Sequence, residues 1–377
     1  MTDLSFDLME ICAPGVKALK PYEPGKPVSE LQREFGVRDV IKLASNENPL
    51  GPSPRALAAV RGTLGGMAIY PDAQAHELRR ALAVRFHVDP AGITVGNGSE
   101  QVLELIARVF LQPGTNAVFS RYAFAVYPIV TQAVGAAERM AEANAPDHAT
   151  APYGHNLDKL LAAINADTRV VFIANPNNPT GTWIERRALR DFLTRVPPRV
   201  LVVVDEAYAE YVAEADYPEC TLWLPEFPNL IVTRTFSKIY GLAGLRCGYS
   251  LAHPRVAELL NRMRLVFNAS NLAQMGALAA LGDDAHVRRS AELNRVGHEQ
   301  LQAGLRELGL KWIPSIANFL TVDFGRPVRP TYDALLHQGI IVRPLANYGL
   351  PQHLRITIGL PEQNERLLLA LEQVLVA

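Results

Sequence analysis

The stretch Thr233–Tyr249, TRTFSKIYGLAGLRCGY, decides how the rest of the chain is read. A strand-like apolar run at 229–232 leads into it. A glycine-punctuated turn leads out to a second apolar run at 247–251. Lys238 therefore stands at the end of a buried strand, behind the hydroxyls of Thr235 and Ser237 and ahead of Gly241, Gly244 and Arg246. A lone loop lysine is ordinarily just a solvated charge. Here Ser237 and Arg246 can both reach an anion, and the glycines let backbone approach a ligand closely. Those neighbours suit a lysine that forms a Schiff base with a phosphorylated aldehyde, which is the chemistry of pyridoxal 5'-phosphate.

Upstream, strand-like runs fall at 93–95, 117–120, 170–174, 200–204 and 230–233, with helical patterns at 75–86, 100–111 and 185–195. VVFIA (170–174) and VLVVV (200–204) are continuous and β-branched, as parallel strands buried on both faces require. This alternation predicts an α/β domain with ligand sites at the carboxyl ends of its strands. After residue 252 the pattern changes. A long helical stretch runs from 254 to about 309 with a break at 282–284. Strand candidates follow at 319–322, 340–343 and 354–358, then a terminal helix at 362–376. The reading is a large cofactor-binding domain with a mostly parallel central sheet (51–270) and a smaller α+β domain (271–377). Residues 1–50 form an arm and part of the small domain. Prolines at 21, 24 and 27 predict an extended path for residues 15–27 within that arm. Ser53 before Pro54 predicts a capped helix start, and Asn144–Asn156 reads as a surface excursion.

Composition excludes several classes. A formal net charge of −1 gives no field for nucleic acid or an anionic membrane. No apolar run approaches the ~18–20 residues of a membrane span. Three widely spaced cysteines without a CxxC pair argue against a disulfide framework or a zinc ribbon, and for a reducing cytoplasm. No metal site is expected.

Further motifs follow the strand-like runs. Gly96-Asn97-Gly98-Ser99-Glu100 opens a helix, so its free amides and dipole make an anion site to which Ser99 adds a hydroxyl. Alone, it would read as a capped turn. Asn175–Gly181, NPNNPTG, fixes the backbone with two prolines and so holds an Asn amide still. Asp205 ends VLVVV, where a carboxylate needs a cationic or hydrogen-bonding partner; a protonated pyridine nitrogen would supply one. A capping carboxylate is the plainer alternative. Tyr208 follows three residues later. Arg343 and Arg355 sit twelve apart between strand-type residues, where a guanidinium fork suits carboxylate or phosphate and a structural ion pair is the alternative.

Together with KLASNENPLGPSP, Tyr70-Pro71-Asp72, VDEAYAEY and VRPLANYGLPQHLRITIG, these motifs resemble the fold-type I pyridoxal-phosphate aminotransferases of class II over nearly the whole chain. More narrowly they resemble the histidinol-phosphate aminotransferase family. The resemblance implies that Lys238 carries the cofactor and then acts as general acid and base. It implies that Asp205 pairs the pyridine nitrogen, that Asn178 and Tyr208 bond the ring oxygen, and that Phe124 stacks on the ring. Gly98, Ser99, Glu100, Ser237 and Arg246 would surround the phosphate. Tyr70 would cross from the partner of a homodimer. Arg355 would bind the substrate's acid group, with Asn46, Arg343 and Tyr22 as further substrate contacts. The implied reaction exchanges the amine of L-histidinol phosphate with 2-oxoglutarate to give imidazole-acetol phosphate and L-glutamate in histidine biosynthesis, in the cytoplasm. Rivals on the same scaffold are an aromatic amino-acid aminotransferase and a phosphothreonine decarboxylase-type lyase. A regulatory domain fused to a DNA-binding module is disfavoured, because no basic helix-turn-helix segment precedes residue 50.

Overall fold

The protein was analysed as a computed structural model that describes residues 7–21 and 25–376. In chain order its strands are β1 (Ile41–Lys42), β2 (Ile93–Asn97), β3 (Asn116–Ser120), β4 (Ala137–Ala141), β5 (Thr168–Ala174), β6 (Leu201–Asp205), β7 (Leu230–Thr235), β8 (Cys247–Ala252), β9 (Lys311–Ile313), β10 (Phe319–Asp323), β11 (Ile340–Ile341), β12 (Arg343–Leu345) and β13 (Leu350–Thr357).

Seven of them form one sheet in the order β2-β8-β7-β6-β5-β3-β4. β8 runs antiparallel to both neighbours, and every other pair is parallel. Val171, Val202, Val204 and Val232 enter a cluster on one face, while Val170, Phe172, Val203 and Ile231 enter a cluster on the other. That double burial is why the strand sequences are unbroken apolar runs. β2, β5, β6 and β7 share a direction, so their carboxyl ends at Asn97, Ala174, Asp205 and Thr235 lie along one edge. GNGSE, NPNNPTG, Asp205 and the Lys238 turn all lie at or just after those ends.

A second sheet, β12-β13-β10-β9, is antiparallel throughout. Its alternation is clean. Leu320, Val322, Leu354 and Ile356 enter a core shared with Leu301, Leu305, Leu367 and Leu371 of the helices Asp284–Glu307 and Pro361–Val376. Thr321, Arg355 and Thr357 point the other way, towards the first sheet's edge.

Several expectations are displaced. The stretch expected to be helical from 254 to 309 is three helices, Pro254–Met263, Asn271–Leu281 and Asp284–Glu307. The first break occurs where the Arg264 guanidinium bonds the carbonyls of Leu265 and Val266 and the side chain of Asn268, and Ser270 caps the next helix. Those side-chain bonds leave no glycine or proline signal in the sequence. The helix Asn271–Leu281 falls beyond the division drawn at 270. It nevertheless packs on Pro54–Thr63 and His76–Phe86, with Ala273, Ala277 and Ala280 in the large sheet's core. The run at 340–343 is split: β11 pairs with β1 in parallel, while Arg343 begins β12 opposite β13. The stretch expected to be extended, residues 15–27, begins inside a short helix, Pro14–Lys17. Val28–Phe35 is a helix that buries Leu31 against Leu336 and Ile341.

Candidate active site

One cleft is lined by residues from both sheets, among them Asn46, Ser99, Phe124, Asn178, Asp205, Tyr208, Ser237, Lys238, Arg246, Arg343 and Arg355. β6 delivers Asp205, whose side chain is buried. Its Oδ1 accepts from the Thr233 hydroxyl at 2.9 Å, and its Oδ2 accepts from the Tyr127 hydroxyl at 3.0 Å. Asp205 and Thr233 are register partners in β6 and β7, which puts the hydroxyl beside the carboxylate. Burial pushes the Asp205 carboxyl up to about 6, against the pull of the two hydroxyls and of Lys238. A buried carboxylate held ready in this way calls for a cation.

Lys238 leaves the end of β7 half-buried. Its Nζ donates to the Ser45 carbonyl at 3.0 Å and lies 5.8 Å from the centre of the Tyr208 ring. Burial, then the nearby charge of Arg355, lowers it from 10.5 to about 8. A useful fraction is thus a neutral amine near pH 7. Tyr208, buried and pushed up to about 12 mainly by desolvation, accepts from the Asn46 amide at 2.9 Å. Asn46 has φ 55° and is fixed by Thr357: its N–H donates to the Thr357 hydroxyl at 2.9 Å, and its side-chain oxygen accepts from that hydroxyl at 3.1 Å.

The anion cradle is built at the start of the helix Gly98–Phe110, directly after β2. No side chain caps this helix, so its first-turn N–H groups remain available. Gly98 has φ +75°, and a Cβ there would sit 2.4 Å from the Arg246 guanidinium. A Cβ on Gly248 would sit 2.2 Å from the Ser99 nitrogen. The two glycines let β8 and Arg246 close over the turn. Arg246 Nη1 donates to the Ser237 hydroxyl at 3.4 Å, and Nη2 lies 3.8 Å from Glu100. Glu100 brings a carboxylate, which offers an anion no donor. Only its backbone N–H can contribute.

Arg355, buried on β13, is register partner to Thr321 on one side and to Arg343 on the other. Its Nη2 donates to the Ala44 carbonyl at 2.7 Å, its Nη1 donates to Asn178 Oδ1, and its Cζ lies 5.4 Å from the centre of the Phe319 ring. Its Nε is buried with no hydrogen-bond partner among the described residues. A buried guanidinium on the cleft's lining is set for an anionic ligand.

The structure therefore brings most of the sequence-derived site residues into one cleft. Phe124 lines the cleft half-buried, edge-on to Tyr127 with centroids 5.8 Å apart. Tyr70 does not line the cleft of its own chain. It is 76% exposed and stacked on Phe267 at 4.4 Å. Tyr22 lies outside the described residues. Sequence reasoning missed Tyr127, Thr233, Ser45 and Thr357. Tyr127 had a signal in its spacing of three from Phe124; the other three depend on tertiary pairing.

Comparison with known proteins agrees with this geometry. Residues 38–371 match the model of the family described as aminotransferase class I and II. The chain is 54% identical over 374 residues to a histidinol-phosphate aminotransferase 2 of Pseudomonas fluorescens (strain Pf0-1), covering 99% of each chain. It is 53% identical to one of Methylococcus capsulatus, covering 97% of this chain and 98% of the relative. Among solved structures, the histidinol-phosphate aminotransferase of Sinorhizobium meliloti in complex with pyridoxal-5'-phosphate superposes with a TM-score of 0.89 at 28% identity, covering 100% of this chain and 99% of the other. The chain belongs to the class I and II aminotransferase family, with the fold-type I architecture of its structural neighbours.

Proposed function

We propose that this chain is a pyridoxal 5'-phosphate-dependent aminotransferase that passes the amine of L-histidinol phosphate to 2-oxoglutarate in histidine biosynthesis. The observation that carries the reading is one cleft holding a depressed lysine, a buried carboxylate fixed by two hydroxyls, and the arginines 246, 343 and 355. The donor set fits the cofactor. Ser99, Ser237, Arg246 and the helix amides suit its phosphate, Asp205 suits its ring nitrogen, and Asn178 with Tyr208 suits its ring oxygen. When bound, the cofactor supplies the carbonyl that takes the amine and the electron sink that stabilises the neighbouring carbanion.

The protein's own residues do the rest. Asp205, ionised near pH 7, would hold a proton on the cofactor's ring nitrogen. Lys238 would be the base that takes the proton from the substrate carbon and the acid that returns it. Arg355 would orient a carboxylate from the cleft's lining, and Arg343, opposite it in the sheet, adds a second cation. Glutamate carries two carboxylates, whereas histidinol phosphate carries a phosphate and no carboxylate. Two buried arginines side by side can serve both in alternation, as ping-pong exchange requires. We extend the reading to a cytoplasmic homodimer in which the exposed Tyr70 reaches the partner's site, with Tyr22 joining the substrate contacts. We divide the chain into a large cofactor domain and a smaller domain carrying Arg343 and Arg355.

The test is glutamate formation by the cofactor-loaded protein given L-histidinol phosphate and 2-oxoglutarate. Glutamate in equal amount to imidazole-acetol phosphate supports the reading. No glutamate from that mixture, with carbon dioxide released instead from phosphothreonine in the absence of any keto acid, would replace it with a lyase.

A further inference from the structure

We infer that Thr321 is a positioning residue for the active site: it anchors the loop that carries Asn178 to the strand pair that carries Arg355. This rests on the aminotransferase reading above and adds a residue that does not line the cleft.

Thr321 is fully buried on β10, directly opposite Arg355 of β13. Residues opposite one another across an antiparallel pair face the same way. Both therefore reach the loop Asn175–Gly181, at adjacent residues. Arg355 donates to the Asn178 side chain, and the Thr321 hydroxyl donates to the Pro179 carbonyl. A third tie follows at the loop's end, where the Ile316 N–H donates to the Gly181 carbonyl at 3.1 Å. Gly181 has φ +80°, and a Cβ there would lie 2.1 Å from the Ser315 hydroxyl, so the two segments are in close backbone contact. The loop follows β5 of the large sheet, yet all three of these bonds come from the second sheet and its β9–β10 connection.

The arrangement has a chemical consequence. Arg355 Nη1 is committed to Asn178 Oδ1, so any shift of the loop changes both the guanidinium's orientation and the amide's. The Thr321–Pro179 bond is the contact beside that pair which involves neither ligand-binding side chain. It fixes the height of Asn178 relative to Arg355, so that the ring oxygen and the substrate acid group are met together. Such a residue acts through its neighbours, and a displacement of about an ångström at a positioning contact is enough to alter rate and affinity.

The experiment compares the parent holoenzyme with T321V, which keeps the shape and removes the hydroxyl, and with T321S, which keeps the hydroxyl. The readouts are KM and kcat for each substrate, the pH titration of the bound cofactor's absorbance, and the melting temperature. T321V should raise KM for glutamate and for histidinol phosphate on the order of tenfold, the size expected when a buried acceptor loses its donor. It should also displace the midpoint of the absorbance titration, while T321S stays within about twofold of the parent, less than the effect of a lost bond. A purely structural threonine would lower the melting temperature and leave KM and the titration midpoint alone, and that result overturns the inference. So does a T321S variant whose KM is raised on the order of tenfold over the parent's, the loss expected of a missing donor, and this readout stands even if T321V fails to fold. A parent protein without transaminase activity would instead refute the functional reading, and the two failures are therefore distinguishable.

Discussion

Replacing Asp205 by Asn should separate what this site needs for catalysis from what it costs the fold. Asp205 is buried, and desolvation raises its carboxyl from 3.8 to about 6. Because the folded value lies above the unfolded one, the folded chain holds extra protons between about pH 4 and 6. The stability this provides is present at low pH and is lost as pH rises through about 6. At about 1.4 kcal/mol for each tenfold change in proton affinity, a rise from 3.8 to about 6 amounts to about 3 kcal/mol. Above pH 7 the cofactor-free protein therefore carries an ionised carboxylate at roughly that cost relative to a neutral group. D205N removes it. For a chain of 377 residues, with an unfolding entropy of roughly 2 cal/mol/K per residue, the gain corresponds to about 4 °C in melting temperature. The assay is thermal unfolding of cofactor-free parent and variant, followed by circular dichroism at pH 5 and pH 7.5. D205N should melt higher at pH 7.5, and its advantage should fall to about half at pH 5, where the parent carboxyl is mostly protonated. Its transamination rate should drop on the order of a hundredfold or more, since an amide cannot balance a protonated ring nitrogen. A variant that melts below the parent at pH 7.5, or one whose advantage is the same at both pH values, would refute the reasoning.

Two further outcomes are expected. Lys238 is lowered to about 8, and only the neutral amine is nucleophilic. Reloading of cofactor-free protein should therefore accelerate from pH 6.5 and level off above about 8, followed by absorbance, whereas an ordinary lysine would still be accelerating near its usual ~10.4. Arg355→Gln removes the charge-assisted donors facing the cleft. KM for glutamate should rise about ten- to a hundredfold, with bound cofactor retained, as steady-state kinetics and the absorbance spectrum can check.

Much of this site was legible because it follows buried strands. VVFIA and VLVVV announce themselves by unbroken β-branched runs, and Asn178 and Asp205 come within a few residues of their ends. Of the glycines singled out, Gly98 marked the cradle, where a Cβ would collide with Arg246; Gly241 packs on Gly51 and Pro52 instead, and Gly244 has open space beside it. What escaped depends on pairing between distant segments. Thr233 meets Asp205 only through the β6–β7 register, and Asn46 is set by Thr357, 311 residues away. β4, reading AERMA, is a half-solvated edge strand and lacks the apolar run that reveals a central one. The break at Arg264 is made by side-chain bonds to carbonyls, so the helical period runs across it unmarked.

The central claim is that the cleft is built for an amine bearing a phosphate, and the direct measurement is kcat/KM of the holoenzyme for L-histidinol phosphate against L-phenylalanine with 2-oxoglutarate as acceptor. The account predicts a clear preference for histidinol phosphate, diminished when Arg343 is replaced by Gln. A preference for phenylalanine that survives that replacement would contradict it.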